Sequence, residues 1–305
     1  MTTHGLRWLP VLLLLALPWP AAATLRVVGT IPDFAALAAE LGGDRVTAEA
    51  LVRGTQDPHY VDAKPSLVVK VSRADLLISA GLGLEVGWLP TLLTQSRNGD
   101  VQPGSPGHLD ASQLIQPLEV PVKPDRAMGD VHGGGNPHYY TSPLYLFRVA
   151  EGIRDRLKTL DPEGAKTYDA NWLTFVNTYD QRMKGWLRRI GALRGTRVVV
   201  YHQSWIYLLQ WVGLERVGAL EPKPGVPPSP AHVSRLLRQT KDRGVRFVLQ
   251  EVYHPTKLSR VFAGKAGASL LVLPSMVGAV ADTNTIWDKF DRIVEMLSAG
   301  HGGRR

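Results

Sequence analysis

The chain has 305 residues, a formal net charge of +8 and no cysteine. The absence of cysteine excludes disulfides, thiolate metal sites and cysteine nucleophiles. The length is sufficient for two lobes or one large α/β domain with a sizeable core. The modest positive charge alone leaves nucleic acid or an anionic surface open as partners.

The first 23 residues have the pattern of a secretory signal. One positive charge, Arg7, precedes an apolar run from Leu9 to Leu17, and three alanines at 21–23 form a cleavage pattern. The apolar run is too short to span a bilayer, and no other run of ~18 apolar residues follows it. We therefore expect a periplasmic protein that does not span the membrane. Without cysteine we expect no lipid anchor, and after export we expect no nucleic-acid partner.

Strand and helix patterns alternate along the first part of the mature chain. The predicted strands cover 25–31, 46–52 and 75–81, and the predicted helices cover 34–41, 66–74 and 84–93. This alternation favours a parallel sheet. Residues 97–136 are rich in Pro, Gly and Asp, so we expect a long loop there with short ordered pieces.

A long amphipathic helix is predicted from Asp161, which is a good N-cap followed by Pro162. Its apolar residues recur at three- and four-residue steps over ~30 residues. We interpret it as a stiff rod along two lobes rather than a coiled coil. Beyond it the α/β order resumes, with strands over 197–201, 245–250 and 269–273 and helices over 229–241 and 285–297.

Two Pro-His-Tyr phrases stand out, T-Q-D-P-H-Y at 55–60 and G-G-N-P-H-Y-Y at 134–140. Proline stiffens each turn, so His59 and His138 have preset directions. His202 and Glu251 follow predicted strands, and ligands in open α/β sheets bind beyond the carboxyl ends of strands. With Asp282, which lies on a polar turn before the last helix, the three histidines could close on one ion. Three imidazoles and a carboxylate suit a largely closed Zn²⁺ site.

From Leu25 to about Leu297, the chain resembles the zinc/manganese-type periplasmic solute-binding proteins of bacterial metal ABC importers. Motifs that carry the resemblance are L-V-R-G-T-Q-D-P-H-Y, A-D-L-L-I-S-A-G-L-G-L-E, G-N-P-H-Y-Y-T-S-P, Y-H-Q-S-W-I-Y-L-L-Q-W-V-G-L, E-V-Y-H-P and A-D-T-N, in this order. The resemblance implies an α/β fold of two Rossmann-like lobes with parallel sheets, joined by one long rigid α-helix, with a metal site in the inter-lobe cleft. The predicted divisions are a signal peptide at 1–23, an N-terminal lobe at 24–158, a linking helix at 159–193 and a C-terminal lobe at 194–305.

The resemblance also implies the metal ligands, which fall here on His59, His138, His202 and Asp282. Members that favour zinc have His at the third position, and nitrogen ligands favour zinc over manganese. We therefore predict a protein, not an enzyme, that binds Zn²⁺ as its transported ligand and delivers it to an inner-membrane ABC permease. Manganese or iron is the alternative, and a monomer is the simplest expectation.

Two residues are predicted as auxiliary to this site. Many zinc-type relatives carry a His-rich loop before the second ligand, and the corresponding region here holds only His108 and His132. His132 is a candidate for assisting metal collection. Glu251 is a candidate for orienting a ligand imidazole or for replacing a ligand.

Two other classes of function remain open from the residues alone. A secreted metallohydrolase could use the same three histidines, with Glu251 as its general base, although no H-E-x-x-H phrase is present. An exported scaffolding protein could hold the metal as a structural element. The first requires an open coordination position, and the second requires an empty protein that fails to fold.

Overall fold

The computed structural model describes residues 24–121, 132–241 and 243–302. The predicted signal at 1–23 and part of the predicted loop at 97–136 lie outside the described residues. Among the helices of the described ranges, none combines the length and the apolar character needed to cross a membrane.

The first half of the chain forms a parallel four-stranded sheet flanked by helices. Its strands are β1 (Leu25–Gly29), β2 (Val46–Ala50), β3 (Leu76–Ser79) and β4 (His108–Asp110). Its helices are α1 (Pro32–Gly42), α2 (Pro65–Ser72), α3 (Leu89–Ser96) and α4 (Pro143–Leu160). The strand order is β2-β1-β3-β4, and all neighbours are parallel. All four side chains of β3 are buried, which explains its continuous apolar sequence.

The predicted long helix is α5 (Ala165–Ile190), which has 26 residues. A 3₁₀ turn at Pro162–Gly164 leads into it, and another at Gly191–Leu193 continues it. The predicted N-cap is confirmed, because the carboxylate of Asp161 accepts the backbone N–H of Gly164. The helix packs against α1 and α4 on one side of the molecule, and also against the C-terminal helix described next.

The second half repeats the arrangement of the first. Its strands are β5 (Arg197–Val200), β6 (Glu215–Ala219), β7 (Phe247–Glu251) and β8 (Ser269–Leu273). Its helices are α6 (Ile206–Val212), α7 (Pro230–Thr240), α8 (Thr256–Ala266) and α9 (Ile286–Gly302). The order β6-β5-β7-β8 is again wholly parallel. The two-lobe α/β fold predicted from the sequence is confirmed, and α9 is the second-half helix that packs on α5.

One cluster of buried apolar side chains extends from the first sheet to the second. It includes Phe34 and Trp88 in the first half, Phe175 of α5, and Trp205 and Phe290 in the second half. A smaller separate cluster lies behind the second sheet. Because buried side chains are close-packed, a core shared by two lobes resists their independent movement.

The start of α5 provides a test of the fold. The two Arg45 hydrogen bonds, 2.7 and 2.8 Å long, bring the pKa of Asp161 down to about 2, and Tyr168 Oη also donates to this carboxylate. Because the folded pKa lies below the unfolded value of about 3.9, this stabilisation is present above that value and is lost as pH falls toward 2.

We expect Asp161→Ala to lower the free energy of unfolding by about 1 kcal/mol at pH 7, the ordinary cost of a lost N-cap. Urea unfolding at pH 7 and pH 3 should show the difference from wild type shrinking in acid. The control is Asp169→Ala, which lies on α5 and removes only an exposed ion pair with Lys158 of α4. Equal losses for both variants, or a difference that persists in acid, would contradict this account of the cap.

Candidate metal centre

The loops that follow β2 and β5 meet between the two sheets. His59 lies in the first loop and His202 lies two residues past β5, and their ring centroids are 5.3 Å apart. The geometry follows from parallel strands, whose carboxyl ends lie on the same edge of a sheet. Residues from two distant parts of the chain are thereby brought into contact.

Three imidazoles form a triangle at this junction. The centroid of His138 lies 5.0 Å from that of His59 and 5.3 Å from that of His202. The three rings meet at steep angles of 61° to 90°. His138 is 1% exposed and His202 is 6% exposed, so the triangle is mostly withdrawn from water. The structure therefore brings together three of the four predicted ligands.

Each of these imidazoles has a hydrogen-bond partner at its Nδ1 atom. The distances from Nδ1 are 2.7 Å for His59 to Asp57 Oδ1, 2.8 Å for His138 to Tyr140 Oη and 2.6 Å for His202 to Glu221 Oε2. A carboxylate at Nδ1 holds the ring proton there and leaves Nε2 free for a metal. The Nε2 atoms of His59 and His138 are buried and have no hydrogen-bond partner among the described residues.

The two Pro-His turns are fixed by their preceding polar residues. Asp57 Oδ1 accepts the backbone N–H of His59 at 3.0 Å, and Asn136 Oδ1 accepts that of His138 at 3.0 Å. Trp88 adds a second restraint in the first turn, because its indole N–H donates to the carbonyl of Pro58 at 2.9 Å.

Burial and neighbouring charges determine the protonation of the site. Burial, followed by the nearby His59 and His202 rings, lowers the pKa of His138 well below its ordinary value. Burial would raise the pKa of Asp57, but hydrogen bonds and charge from His59 outweigh it and leave that pKa below its ordinary value. A neutral imidazole is the form that binds metal. The site therefore contains a neutral imidazole at His138 and an anionic carboxylate at Asp57.

His132 lies beside the triangle. Its ring stacks on His59, with centroids 5.5 Å apart and planes 29° apart, and lies 6.3 Å from the ring of His138. Ligand atoms of His59, His132 and His138 all lie within 4.8 Å of one another. Gly83 permits this approach, because a Cβ there would lie 3.3 Å from His132 Nδ1 and its φ is +84°. The residue predicted as auxiliary is thus close enough to share an ion.

Asp282 lies elsewhere. It is exposed, has a φ of +59°, and lines a cleft with Arg189 and α9 residues of both charge signs. The loop that carries it is closed by a 2.7 Å hydrogen bond from Gly278 N to the carbonyl of Thr283 and by the Thr283 hydroxyl on the carbonyl of Val280. None of the cavities at the histidines includes Asp282. The structure does not bring the fourth predicted ligand to the other three.

Glu251 is fully buried at the end of β7 and lies behind the turn that follows His202. The hydroxyl of Ser204 donates to Glu251 Oε1, and burial raises the pKa of this carboxyl well above its ordinary value. Glu251 Oε2 lies 3.7 Å from His254 Nε2, and burial lowers the pKa of His254 to about 4. Glu251 thus supports the 202–204 turn through Ser204.

Three cavities reach the histidines from different sides. One of 780 Å³ is bounded by His59 and His132, and one of 400 Å³ by His132, His138 and His202. A third of 190 Å³ is bounded by His59, His202 and His254. His132 borders the two larger cavities.

The sequence analysis missed Glu221 and Tyr140 as parts of the site. Glu221 lies two residues past β6, a strand that was not predicted, so the strand-end rule that found His202 was not applied to it. Tyr140 directly follows the second Pro-His-Tyr phrase. Its hydroxyl, two residues from the candidate ligand His138, was the signal that could have identified it as a partner of that imidazole.

Known proteins resemble this chain in sequence and in overall fold. The chain is 21% identical to the zinc-binding lipoprotein AdcA of Streptococcus pneumoniae over 277 residues, which are 90% of this chain and 54% of that protein. It spans about half the length of that relative. It is 23% identical to the high-affinity zinc uptake system protein ZnuA of Yersinia pestis over 295 residues, covering 90% of each. A ZnuA deletion mutant solved with zinc bound matches with a TM-score of 0.77 and 25% identity, over 92% of this chain and all of that one.

The profile of one protein family matches residues 27–300, which are nearly the whole chain outside the predicted signal. This match includes both sheets, α5 and all the histidines of the triangle. The protein belongs to the ZnuA family, described as the periplasmic component A of the zinc-uptake complex.

Proposed function

We propose that this protein is a periplasmic solute-binding protein that captures zinc and delivers it to the permease of an ABC importer. The observation that carries the proposal is the triangle of His59, His138 and His202, in which each Nδ1 has a partner. Membership of the ZnuA family and the zinc-binding names of the relatives support it.

The donor set favours zinc over harder cations. Three imidazole nitrogens bind Zn²⁺ well, whereas Mn²⁺ prefers oxygen ligands. We propose His132 as the fourth ligand, because its nitrogen lies within 4.8 Å of ligand atoms of His59 and His138. A shell of four nitrogens would discriminate against manganese more strongly than one that includes a carboxylate. Manganese or iron remains the alternative cargo.

The protein binds its ion without turnover. The core shared by the lobes and the packing of α5 argue against a large rigid closure when zinc binds. Release then proceeds through local rearrangement at the mouth of the site, where His132 is followed by three glycines. Contact with the permease would drive this rearrangement.

The other classes of function gain no support from the site. A metallohydrolase would need a base that reaches a water molecule on the ion, whereas Glu251 is fully buried and accepts a hydrogen bond from Ser204. A structural metal would require an empty protein that does not fold. The shared apolar core and the hydrogen bonds at each Nδ1 do not depend on an ion.

The description of the family as periplasmic supports the proposed periplasmic location. The absence of a lipid anchor stays a prediction, since the pneumococcal relative is described as a lipoprotein. The monomeric state also stays a prediction, which sedimentation of the purified protein would test.

The function is tested by competitive titration of metal-stripped protein with Zn²⁺ and Mn²⁺, for wild type and His202→Ala. We expect one tight zinc site, far weaker manganese binding, and a loss in the variant beyond the roughly 10–100-fold that outer-shell partners contribute. His232→Ala is the control, because His232 lies on α7 and bonds the carbonyl of Ala219. Circular dichroism should show that the empty protein is folded. Equal or better binding of manganese would assign manganese, rather than zinc, as the transported ion. Tight zinc binding by His202→Ala would refute the three-histidine site.

The hydrogen bond behind His202 gives a second test. Glu221→Gln keeps the shape of the side chain but removes the charge that holds the imidazole proton on Nδ1. Zinc affinity should fall about 10–100-fold, with circular dichroism unchanged. Glu215→Gln, which alters an exposed carboxylate on β6, should leave affinity at the wild-type value. Wild-type affinity in Glu221→Gln would mean that this contact does not tune the ligand.

The identity of the fourth ligand is decided by comparing His132→Ala with Asp282→Ala. We expect zinc affinity to fall about tenfold or more in His132→Ala, since water would replace an imidazole nitrogen. The visible absorption spectrum of the Co²⁺-loaded protein should change in the same variant. Asp282→Ala should match wild type in both measurements. The reverse pattern would assign the fourth position to Asp282.

A further inference from the structure

His138 differs from the other two imidazoles of the triangle in the kind of group that bonds its Nδ1 atom. Its Nδ1 contacts the phenol of Tyr140, whereas His59 and His202 contact carboxylates. With an ion at Nε2, the ring proton lies on Nδ1 and Tyr140 Oη accepts it. The phenol of Tyr140 is fully buried and, unlike a carboxylate, is uncharged at neutral pH. The orientation of His138 therefore depends on a neutral group whose own position must be fixed.

The backbone of Tyr140 is fixed by a residue from the other half of the chain. Lys289 of α9 donates from Nζ to the carbonyl oxygen of Tyr140 at 2.8 Å. The same Nζ donates to Asp33 Oδ1 at the start of α1. Asp33 Oδ2 accepts the backbone N–H of Val277, which lies just after β8, at 3.2 Å. One buried ion pair thus joins α1, α9, the loop after β8 and the segment that carries His138.

This ion pair is a poor source of stability. Asp33 and Lys289 are both 0% exposed. Loss of water raises the pKa of Asp33 and lowers that of Lys289, and their mutual attraction only partly compensates. Neutral replacements for such pairs are often as stable as the charged ones or more so. The charged pair instead fixes the position of the Tyr140 backbone, because Lys289 Nζ is held between the Asp33 carboxylate and the Tyr140 carbonyl oxygen.

We propose that Lys289 and Asp33 are positioning residues of the zinc site, which hold His138 through Tyr140 and thereby set how slowly zinc leaves. The proposal rests on the proposed zinc function and deepens it. The path from α9 to the imidazole, called the lock below, consists of two hydrogen bonds joined through Tyr140. Lys289 Nζ donates to the Tyr140 carbonyl, and the Tyr140 hydroxyl bonds His138 Nδ1. A change at the lobe interface therefore alters the position of the ligand His138. A permease that contacts this interface could weaken zinc binding from a place remote from the mouth of the site.

The test uses the neutral pair Asp33→Asn/Lys289→Met. The asparagine keeps an oxygen for the N–H of Val277, and the methionine fills the space of the lysine stem. Arg182→Met is the matched control, because Arg182 joins α5 to Asp291, also on α9, without touching Tyr140. For each protein, thermal unfolding of the empty form measures stability. Stopped-flow transfer of zinc to a chelator measures its dissociation rate, and the Co²⁺ spectrum reports ligand geometry.

The neutral pair should unfold near the wild-type temperature, release zinc about tenfold or more faster, and show an altered Co²⁺ spectrum. The control should release zinc at the wild-type rate. A neutral pair with wild-type stability, dissociation rate and spectrum would overturn the positioning role. If wild type itself bound no zinc, the proposed function would fail first, so the two failures are distinguishable.

A measurement on wild type decides the question if the neutral pair does not fold. Because coupling between two sites is reciprocal, zinc that tightens His138 must also tighten the lock. Hydrogen exchange should therefore slow in the first turns of α9 (286–293) on addition of zinc, and stay unchanged in α7. Exchange in α9 that does not respond to zinc would overturn the proposal.

Discussion

The packing of both sheets against one apolar core is the constraint on which the metal centre depends. His59 and His202 lie on loops that follow strands, and His138 begins a short 3₁₀ turn. Such short segments alone do not hold three rings within 5.0 to 5.3 Å of one another. The loops are anchored at strand ends, and the separation of those strand ends is set by side chains such as Phe175 and Trp205, which belong to the shared core. The helix α5 packs on helices of both halves, so it fixes the same separation from outside.

Within this frame, hydrogen bonds between protein groups hold the site. Each imidazole already has its Nδ1 partner, and Asp57 and Asn136 hold the backbone of the two Pro-His turns. The entropy of ordering these groups is lost when the chain folds, so it does not oppose metal binding. What opposes binding is the removal of water from the ion. A carrier benefits when the ordering of its ligands is a cost of folding and not of binding, because it must be stable when empty and still bind tightly at low concentrations of free metal.

Sequence patterns were sufficient for elements with strong local signals and insufficient for the rest. The strand at 269–273 was predicted with its observed bounds, because an apolar run is a local feature. The strand β6 was missed because its side chains are exposed or only partly buried, so it lacks an apolar run. Local rules found three histidines of the site, since each lies on a stiff turn or at a strand end. They gave no distance between Asp282 and the histidines, because the direction of its loop depends on hydrogen bonds to Thr283 and is a property of the tertiary structure.

The ligands are distributed unequally between the halves of the molecule. His59, His132 and His138 precede α5, and His202 follows it. Because the shared core resists widening of the gap between the sheets, the proposed rearrangement at His132 would leave the ion held by nitrogen atoms from both halves. The departure of the ion would then have two stages: detachment from His132, followed by escape from a partial shell with vacant positions. Those vacant positions are where an acceptor could begin to bind the ion before the protein has released it.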